Sequence, residues 1–462
     1  MVRNLRYRRA ETSGLVMEGL RKMALGQPAW TAFVVALISR LMLVVGSQVT
    51  DRWPLIPDEG LYVDLATLAV DGRIDEICCG GYGPALYSSV RLFVWPLYGL
   101  VALFGPRTWI LQMPAVLFGA VTAFVVSRIA GRFVSARWAL FAGLVMALLP
   151  SAVLHSSTVL RESLIWLLVA GAAWLVIFWT EDGGLRRLVI CSVGLLLVVI
   201  GLGWVRDQTA VLAVWSLVPV ALFVRNQRRE RLCLLVVLLL VGPWVTASGP
   251  AGLQLVENSF PKLGTIRAWM SEGAQSAFVT FEQLPPSVSS VPGVSGTSDV
   301  EAGASAISQR GTTMVVKDGR SFDIVSHTML VDNSIVQNLK QVPNGLAAFY
   351  FRPFPWEARG EKPLQFRLAS IENSLWLFLY GFALFGIRPL WRLHPALLIF
   401  AASNFFLTGL VASVTQGNLG TAFRHRLQIL WVVALLTVVG GEYLWARRQA
   451  QRLRRVEPGL LS

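Results

Sequence analysis

The sequence predicts an all-α polytopic membrane protein with about ten membrane-spanning helices. Hydrophobic residues make up 54% of its 462 residues and charged residues only 15%, whereas soluble proteins carry about 25% charged residues. Uncharged stretches recur along most of the chain, and each is close to the ~20 residues that a helix needs to cross a bilayer. These stretches are apolar on every side, which argues against the period-two alternation of barrel strands.

The distribution of positive charge supports the same class. The net charge is +14, but the basic residues fall in short clusters between apolar runs. This distribution is typical of the positive-inside rule and differs from the single basic patch of a nucleic-acid-binding protein. We therefore expect a lipid bilayer and no nucleic acid as a partner. The four cysteines do not form a disulfide framework.

The N-terminal region contains a basic tail followed by a first span. Residues 1–27 are predicted to be a cytoplasmic tail, and the apolar run from Pro28 to about Ser47 is predicted to be an uncleaved span. Arg40 lies inside that run. An arginine within the membrane costs a few kcal/mol, so it either serves the function or snorkels to the outer interface.

A first outer loop, residues 48–108, follows this span. It contains Pro57-Asp58-Glu59-Gly60-Leu61-Tyr62, and an acidic pair beside a bilayer is costly to desolvate. We interpret the pair as meeting a substrate, with a simple polar loop as the alternative. The stretch 85–104 is apolar enough to cross the membrane. If it did, the next span, 109–127, would place the basic cluster that follows it on the outer side, against the positive-inside rule. We therefore predict an interfacial or re-entrant helix on the outer face.

The remaining chain alternates regularly between apolar runs and basic clusters. A transmembrane module over 28–247 continues with predicted spans at 109–127, 138–155, 163–179, 188–205, 209–224 and 232–247. Residues 248–369 are rich in Ser, Gly, Pro, Thr and Val and predict an extracytoplasmic loop or small subdomain with a few strands. C-terminal transmembrane helices over 370–446 contain predicted spans at 372–387, 394–413 and 427–445, and 447–462 form a cytoplasmic tail.

This topology brings carboxylates and guanidiniums to one outer surface. The charged groups predicted there are Asp58, Glu59, Arg161, Glu162, Arg206, Arg352, Arg424, His425 and Arg426. Guanidiniums bind phosphate through paired hydrogen bonds, and a carboxylate can accept a proton from an attacking hydroxyl. We therefore predict displacement of a lipid-anchored phosphate by an acceptor nucleophile. Individual arginines in this set have the alternative roles of contacting headgroups or capping helices.

Several of these motifs together resemble a known family. In chain order they are Arg40 in the first span, Pro57–Tyr62, the helix start Gly83–Tyr87, Phe104-Gly105, and Pro150 through Ser157 to Arg161-Glu162-Ser163-Leu164. Over roughly residues 30–180 the chain resembles the GT-C-fold glycosyltransferases of the protein O-mannosyltransferase and aminoarabinose-transferase kind.

The resemblance implies a GT-C-like helical bundle and a glycosyltransferase with a polyprenyl-phosphate sugar donor. It implies an active site on the outer, periplasmic or lumenal face, and it supports an outer-face helix at 85–104. By motif match Asp58 is the acid or base, Glu59 its neighbour and Glu162 a second acidic position. Some family members hold a divalent metal at the outer-loop acids, so Mg²⁺ or Mn²⁺ at Asp58 and Glu59 stays open.

The other predicted site residues would bind the two substrates. Arg424, His425, Arg426, Arg161, Arg206 and Arg40 are predicted to bind the donor phosphate, and Tyr62 and Arg352 the substrate. The acceptor is a glycan, a lipid or a protein. We expect a role in cell-surface glycan synthesis in a bacterial plasma membrane, with both termini cytoplasmic.

Two other functions remain open at this point. A polysaccharide polymerase would also join lipid-linked sugars with outer-face arginines, but the Asp58-Glu59 pair favours a transferase because it supplies a base. A transporter of lipid-linked sugars would carry polar groups at the membrane midplane and repeated halves, and no convincing repeat is visible in the sequence.

Overall fold

The structure is a computed structural model that describes most of the apolar part of the chain. The described residues are 25–56, 58–74, 83–181, 183–223, 228–245, 250–260, 263–264, 266–267, 307–309, 312–317, 320–326, 329–332, 335–358 and 364–456. Pro57 of the acidic motif, most of the N-terminal tail and the middle of the predicted subdomain lie outside these residues.

Helices make up almost all of the described structure. The first nine are α1 Pro28–Val49, α2 Asp58–Val70, α3 Gly83–Phe104, α4 Thr108–Ala130, α5 Ala136–Leu148, α6 Pro150–His155, α7 Glu162–Thr180, α8 Gly184–Phe223 and α9 Arg228–Val245. The later ones are α10 Leu253–Ser259, α11 Ile335–Phe351, α12 Leu364–Leu393, α13 Pro395–Thr415, α14 Leu419–Arg426 and α15 Leu430–Val456. Short 3₁₀ turns cover Pro250–Gly252, Pro355–Ala358 and Leu427–Ile429.

Eight helices of the described residues are long and apolar enough to cross a membrane by length and composition. The prediction of an all-α polytopic membrane protein is confirmed. The eight segments are Pro28–Val49, Tyr87–Phe104, Thr108–Ala130, Glu162–Thr180, Gly184–Phe223, Phe366–Leu393, Pro395–Thr415 and Leu419–Arg452.

The described residues contain eight candidate spans where the sequence predicted about ten, and the reasons are local. The predicted spans 188–205 and 209–224 form one 40-residue helix, α8, which is interrupted where Arg206 leaves helical geometry at φ −164° and ψ 101°. The predicted span 138–155 is divided between α5 and α6, because Leu149 is extended and Pro150 starts a new helix. The predicted span 232–247 corresponds to α9, whose first four residues, Arg228–Arg231, are all charged.

Helix α3 covers the apolar stretch 85–104, and Tyr87–Phe104 within it is one of the eight segments. The guanidinium of Arg91 lies 4.2 Å from the ring centre of Trp204, beside the interruption in α8. After α3, a turn at Gly105 leads into α4, whose Thr108 hydroxyl donates to Gln48 at the end of α1. The interfacial orientation of α3 stays a prediction.

Small residues allow the helices of the bundle to approach closely. Helix α1 packs against both α4 and α5, and these two helices also pack against each other. A Cβ atom on Gly143 of α5 would lie 2.4 Å from the Cβ of Ala32 on α1. Close backbone approach at small residues provides the van der Waals packing that holds membrane helices together.

The chain divides into two compact units. The first comprises residues 1–246, 377–404 and 427–462, and the second comprises 247–376 and 405–426. Within the second, an antiparallel meander has strand order β1-β2-β3-β4, with β1 Ile307–Gln309, β2 Thr312–Lys317, β3 Arg320–Ser326 and β4 Met329–Asp332. These strands lie in the segment that the sequence predicted as a loop or subdomain.

Candidate active site

The acidic pair lies in the first turn of α2, with its two side chains in different environments. Asp58 is exposed, whereas Glu59 has no exposed surface. Carboxylates are favoured in a first turn because unpaired N–H groups and the helix dipole attract negative charge there. The structure therefore presents one carboxylate to the surroundings and directs the other into the protein.

Glu59 connects two separate pieces of backbone. Its Oε2 atom accepts a hydrogen bond from the N–H of Leu55 at 2.8 Å, and its Oε1 atom accepts one from the N–H of Val159 at 2.9 Å. Burial raises the pKa of Glu59, and this effect outweighs the backbone hydrogen bonds and the nearby Gln112 amide, which favour the charged form. The Gln112 amide is buried and makes no hydrogen bond of normal geometry within the described residues.

This arrangement bears on the divalent metal that the sequence left open at Asp58 and Glu59. Each oxygen of Glu59 already accepts one backbone N–H, so only its remaining lone pairs could face a metal ion beside Asp58. Within the described ranges, no group of three or more His, Cys, Asp or Glu residues could hold a metal ion. A divalent metal at Asp58 and Glu59 therefore stays a prediction, and Asp58 is the more exposed of the two carboxylates.

Arg40 is buried inside α1 and holds the break between α5 and α6. Its Nη2 donates to the carbonyl of Met146 at 3.0 Å and its Nη1 to that of Ala147 at 3.1 Å. In a continuous helix the Met146 carbonyl would accept from residue 150, which is Pro150 and has no N–H. Arg40 supplies the missing donor, and its residue exposure of 1% shows that it does not snorkel.

The contacts of Arg40 change the role expected of it. Its Nε also donates to Ser156 Oγ at 2.6 Å, so every nitrogen of the guanidinium bonds to protein acceptors. These bonds give Arg40 a structural role, and its predicted contact with donor phosphate stays a prediction. The physical reason is that a proline break within a span leaves carbonyls that need a donor in apolar surroundings.

Arg161 and Glu162 begin α7. The Nη1 of Arg161 donates to the carbonyl of Val205 at 2.8 Å, a carbonyl that the interruption at Arg206 removes from regular helical pairing. Glu162 is 1% exposed and lies in the first turn. Arg206 and Asp207 are half-buried beside this contact. The structure thus brings Arg161 to the backbone directly before Arg206.

Sequence reasoning missed a cationic residue near this point. Arg91 of α3 lies over Trp204, and Trp95 packs edge-on against the same ring with centroids 5.7 Å apart. The Nε atoms of Arg91 and Arg161 are both buried without a hydrogen-bond acceptor among the described residues. In the sequence, Arg91 could have been recognised as a charged residue inside the apolar run 85–104.

Tyr62, predicted to bind substrate, is buried between α2 and α3. Its ring packs edge-on against Phe93, with ring centroids 5.4 Å apart. Aromatic packing of this kind contributes about 0.5–1.5 kcal/mol beyond area burial. The structure therefore gives Tyr62 a packing contact that orients α2, and its predicted substrate contact stays a prediction.

The second unit contains the other predicted site residues. Arg426 at the end of α14 is fully buried, and its Nη1 donates at 2.8 Å both to the carbonyl of Tyr350 and to Asn373 Oδ1. Its guanidinium also lies 4.3 Å from the ring centre of Phe423 and 4.7 Å from that of Trp376. A cation is favourable at the C-terminus of α11, where carbonyls lack helical partners.

A tight bend after α11 explains why Tyr350 accepts from Arg426. The N–H of Phe354, which would continue the helix, instead donates to Glu357 Oε2 at 2.8 Å. Glu357 Oε1 accepts from Arg352 Nε at 2.9 Å, so Arg352 is part of an ion pair in this bend. Arg424 is half-buried and His425 is buried, both in the last turn of α14.

The predicted residues therefore fall into two sets. Asp58, Glu59, Glu162, Arg161, Arg206 and Arg40 belong to the first compact unit, and Arg352, Arg424, His425 and Arg426 belong to the second. Within the first, hydrogen bonds connect Glu59 to Val159, three residues before α7, and Arg161 to α8. A single site that includes both sets stays a prediction.

Comparison with known proteins agrees with the resemblance that the sequence motifs indicated. The family model of dolichyl-phosphate-mannose-protein mannosyltransferases matches residues 91–246, about a third of the chain. The resemblance to GT-C-type glycosyltransferases is confirmed, and the match together with the apolar helices supports an integral membrane glycosyltransferase of this type. The matched part includes Arg161, Glu162 and Arg206 but not the acidic pair. No curated protein matches the chain.

Proposed function

We propose that the protein transfers a sugar from a polyprenyl-phosphate donor to an acceptor at the outer face of a membrane. The reaction would serve cell-surface glycan synthesis, with the chain in a bacterial plasma membrane and both termini cytoplasmic. The exposed Asp58 beside the buried, backbone-bonded Glu59 is the observation that carries this proposal. Asp58 supplies a carboxylate in the first turn of a helix, and a general base needs a carboxylate that is held in position.

In this mechanism Asp58 accepts a proton from the acceptor hydroxyl as that oxygen attacks the sugar carbon. The bond between this carbon and the phosphate oxygen breaks, and the lipid phosphate leaves with an additional negative charge. Guanidiniums already in place at the leaving oxygen lower the barrier more than water can, because they need not reorient.

Arg161 is the best-supported phosphate ligand in the first unit, with Arg91 as an added candidate. Their buried Nε groups, which lack acceptors among the described residues, are donors that an anion would satisfy. Arg206 is the neighbouring cation. Arg424, His425 and Arg426 remain proposed phosphate ligands on the sequence pattern.

The test is a transfer assay with purified protein in lipid nanodiscs. Radiolabelled polyprenyl-phosphate hexoses are supplied one at a time, together with envelope glycans, lipids and proteins as acceptors. We expect label to move to one acceptor class with release of polyprenyl phosphate. A ladder of lengthening products would instead indicate a polymerase. Movement of intact donor across proteoliposomes without bond cleavage would indicate a transporter and overturn the proposal.

A further inference from the structure

The connection between α6 and α7 is buried throughout. We refer to Ser156–Leu160 as the buried linker, and each of its five residues has a relative exposure of 0%. Connections normally run over the surface, because their backbone polar groups need partners. A buried connection must therefore be held by specific hydrogen bonds from its surroundings.

Two charged side chains of opposite sign hold the buried linker. At one end, Arg40 of α1 donates from Nε to Ser156 Oγ at 2.6 Å. At the other end, Glu59 of α2 accepts from the N–H of Val159 at 2.9 Å. The Ser157 hydroxyl adds a longer bond, 3.4 Å, to the Arg40 carbonyl. The linker is thus attached to two different helices that precede it in the chain.

Helix α4 lies along the same groups. Gly119 faces the Arg40 end, since a Cβ there would lie 2.6 Å from Arg40 Nε and 2.7 Å from Ser156 Cβ. Gln112, seven residues earlier and on the same face, lies near Glu59. Helix α4 therefore lies near the groups at both ends of the linker.

The ends of the buried linker join residues that the proposed reaction uses. Arg161 and Glu162 follow Leu160 directly, and Asp58 precedes Glu59 directly. The bond between Glu59 and Val159 consequently connects the start of α2 with the segment that leads into α7. A change in this bond would alter the separation of the base and the phosphate ligand, and small displacements of such groups have large effects on rate.

We propose that Arg40 and Glu59 are positioning residues, which clamp the buried linker and thereby fix Arg161 and Glu162 relative to Asp58. Neither residue takes the proton or binds the donor phosphate. The clamp is a feature of the fold, and only its effect on turnover rests on the proposed function.

Hydrogen–deuterium exchange of the intact protein tests the clamp without reference to activity. In Glu59→Gln the side chain keeps its size but has only one acceptor oxygen for two backbone donors. We expect the peptide that covers the buried linker to exchange roughly tenfold faster or more, since an unsatisfied buried donor favours local opening. Ser156→Ala, which leaves α2 unchanged, should speed exchange at the same peptide by removing the acceptor of Arg40. Asp64→Asn, an exposed acid on α2, is the matched control and should exchange like wild type.

Kinetics then separate positioning from catalysis. We expect Glu59→Gln to lower kcat while KM for the donor and the acidic limb of the pH–rate profile stay as in wild type. Loss of that limb in Glu59→Gln would make Glu59 the base and overturn the proposal. Unchanged exchange at the linker in both Glu59→Gln and Ser156→Ala would overturn it as well. Faster exchange in a protein without transferase activity would uphold the clamp and reject only the proposed function.

Discussion

Asp58→Asn is expected to abolish sugar transfer while the protein still folds and binds donor. Asparagine keeps the shape of the side chain but cannot accept a proton, and a general base contributes about a hundredfold to ten-thousandfold to rate. Because Asp58 is exposed and asparagine has nearly the same size and shape, stability should change little. The measurement is single-turnover transfer of a radiolabelled polyprenyl-phosphate hexose, with donor binding measured separately.

Asp64→Asn, on the same helix and also exposed, should retain wild-type turnover. Near-normal transfer by well-folded Asp58→Asn would contradict the assignment of the base. In that case Glu162 would be the next candidate, because it lies in the first turn of α7, directly after Arg161.

Arg426→Ala is expected to have the largest effect on stability. It removes the donor to the Tyr350 carbonyl and to Asn373 Oδ1, leaving two buried acceptors unsatisfied, and it opens a space between Phe423 and Trp376. Losing one partner in a buried polar network costs about 3 kcal/mol or more. The free energy of unfolding, or the midpoint of thermal unfolding in detergent, is the quantity to measure.

Two variants serve for comparison with Arg426→Ala. Lys340→Ala, on the exposed surface of α11, should unfold like wild type. Arg424→Ala should weaken donor binding and turnover more than it lowers stability. Arg424→Lys should retain only part of the activity, since an ammonium group cannot make the paired, planar hydrogen bonds of a guanidinium to phosphate. If Arg426→Ala unfolded like wild type and lost only donor binding, its assignment as a structural residue would be wrong.

A smaller effect on stability is expected from Gly119→Ala. Its Cβ would come within 3 Å of Arg40 and Ser156, so the buried linker must shift. Overpacking of this kind costs about 1–3 kcal/mol, which thermal unfolding would detect. Gly171→Ala in α7 is the matched control, since no atom lies within 4 Å of its Cβ. Equal unfolding temperatures for the two variants would contradict the close packing at Gly119.

The sequence by itself determined the class of the protein and the places where polar chemistry is possible. Hydrophobicity and the alternation of basic clusters predict membrane helices because the bilayer penalises charge and unpaired backbone groups wherever they occur. This penalty depends on local composition, so it can be read without knowing which helices touch. The predicted helix start at Gly83–Tyr87, the predicted span at 163–179 and the family resemblance followed from the same local information.

Only the tertiary structure decided what the charged residues do. Arg40 could not be assigned from the sequence because its role depends on carbonyls at Met146 and Ala147, more than a hundred residues away. Glu59 and Asp58 look equivalent in sequence, and the backbone N–H of Val159 distinguishes them. Arg426 likewise acquires its role from Tyr350 and Asn373. A buried charge takes its function from the partners that compensate its desolvation, and folding alone brings those partners together.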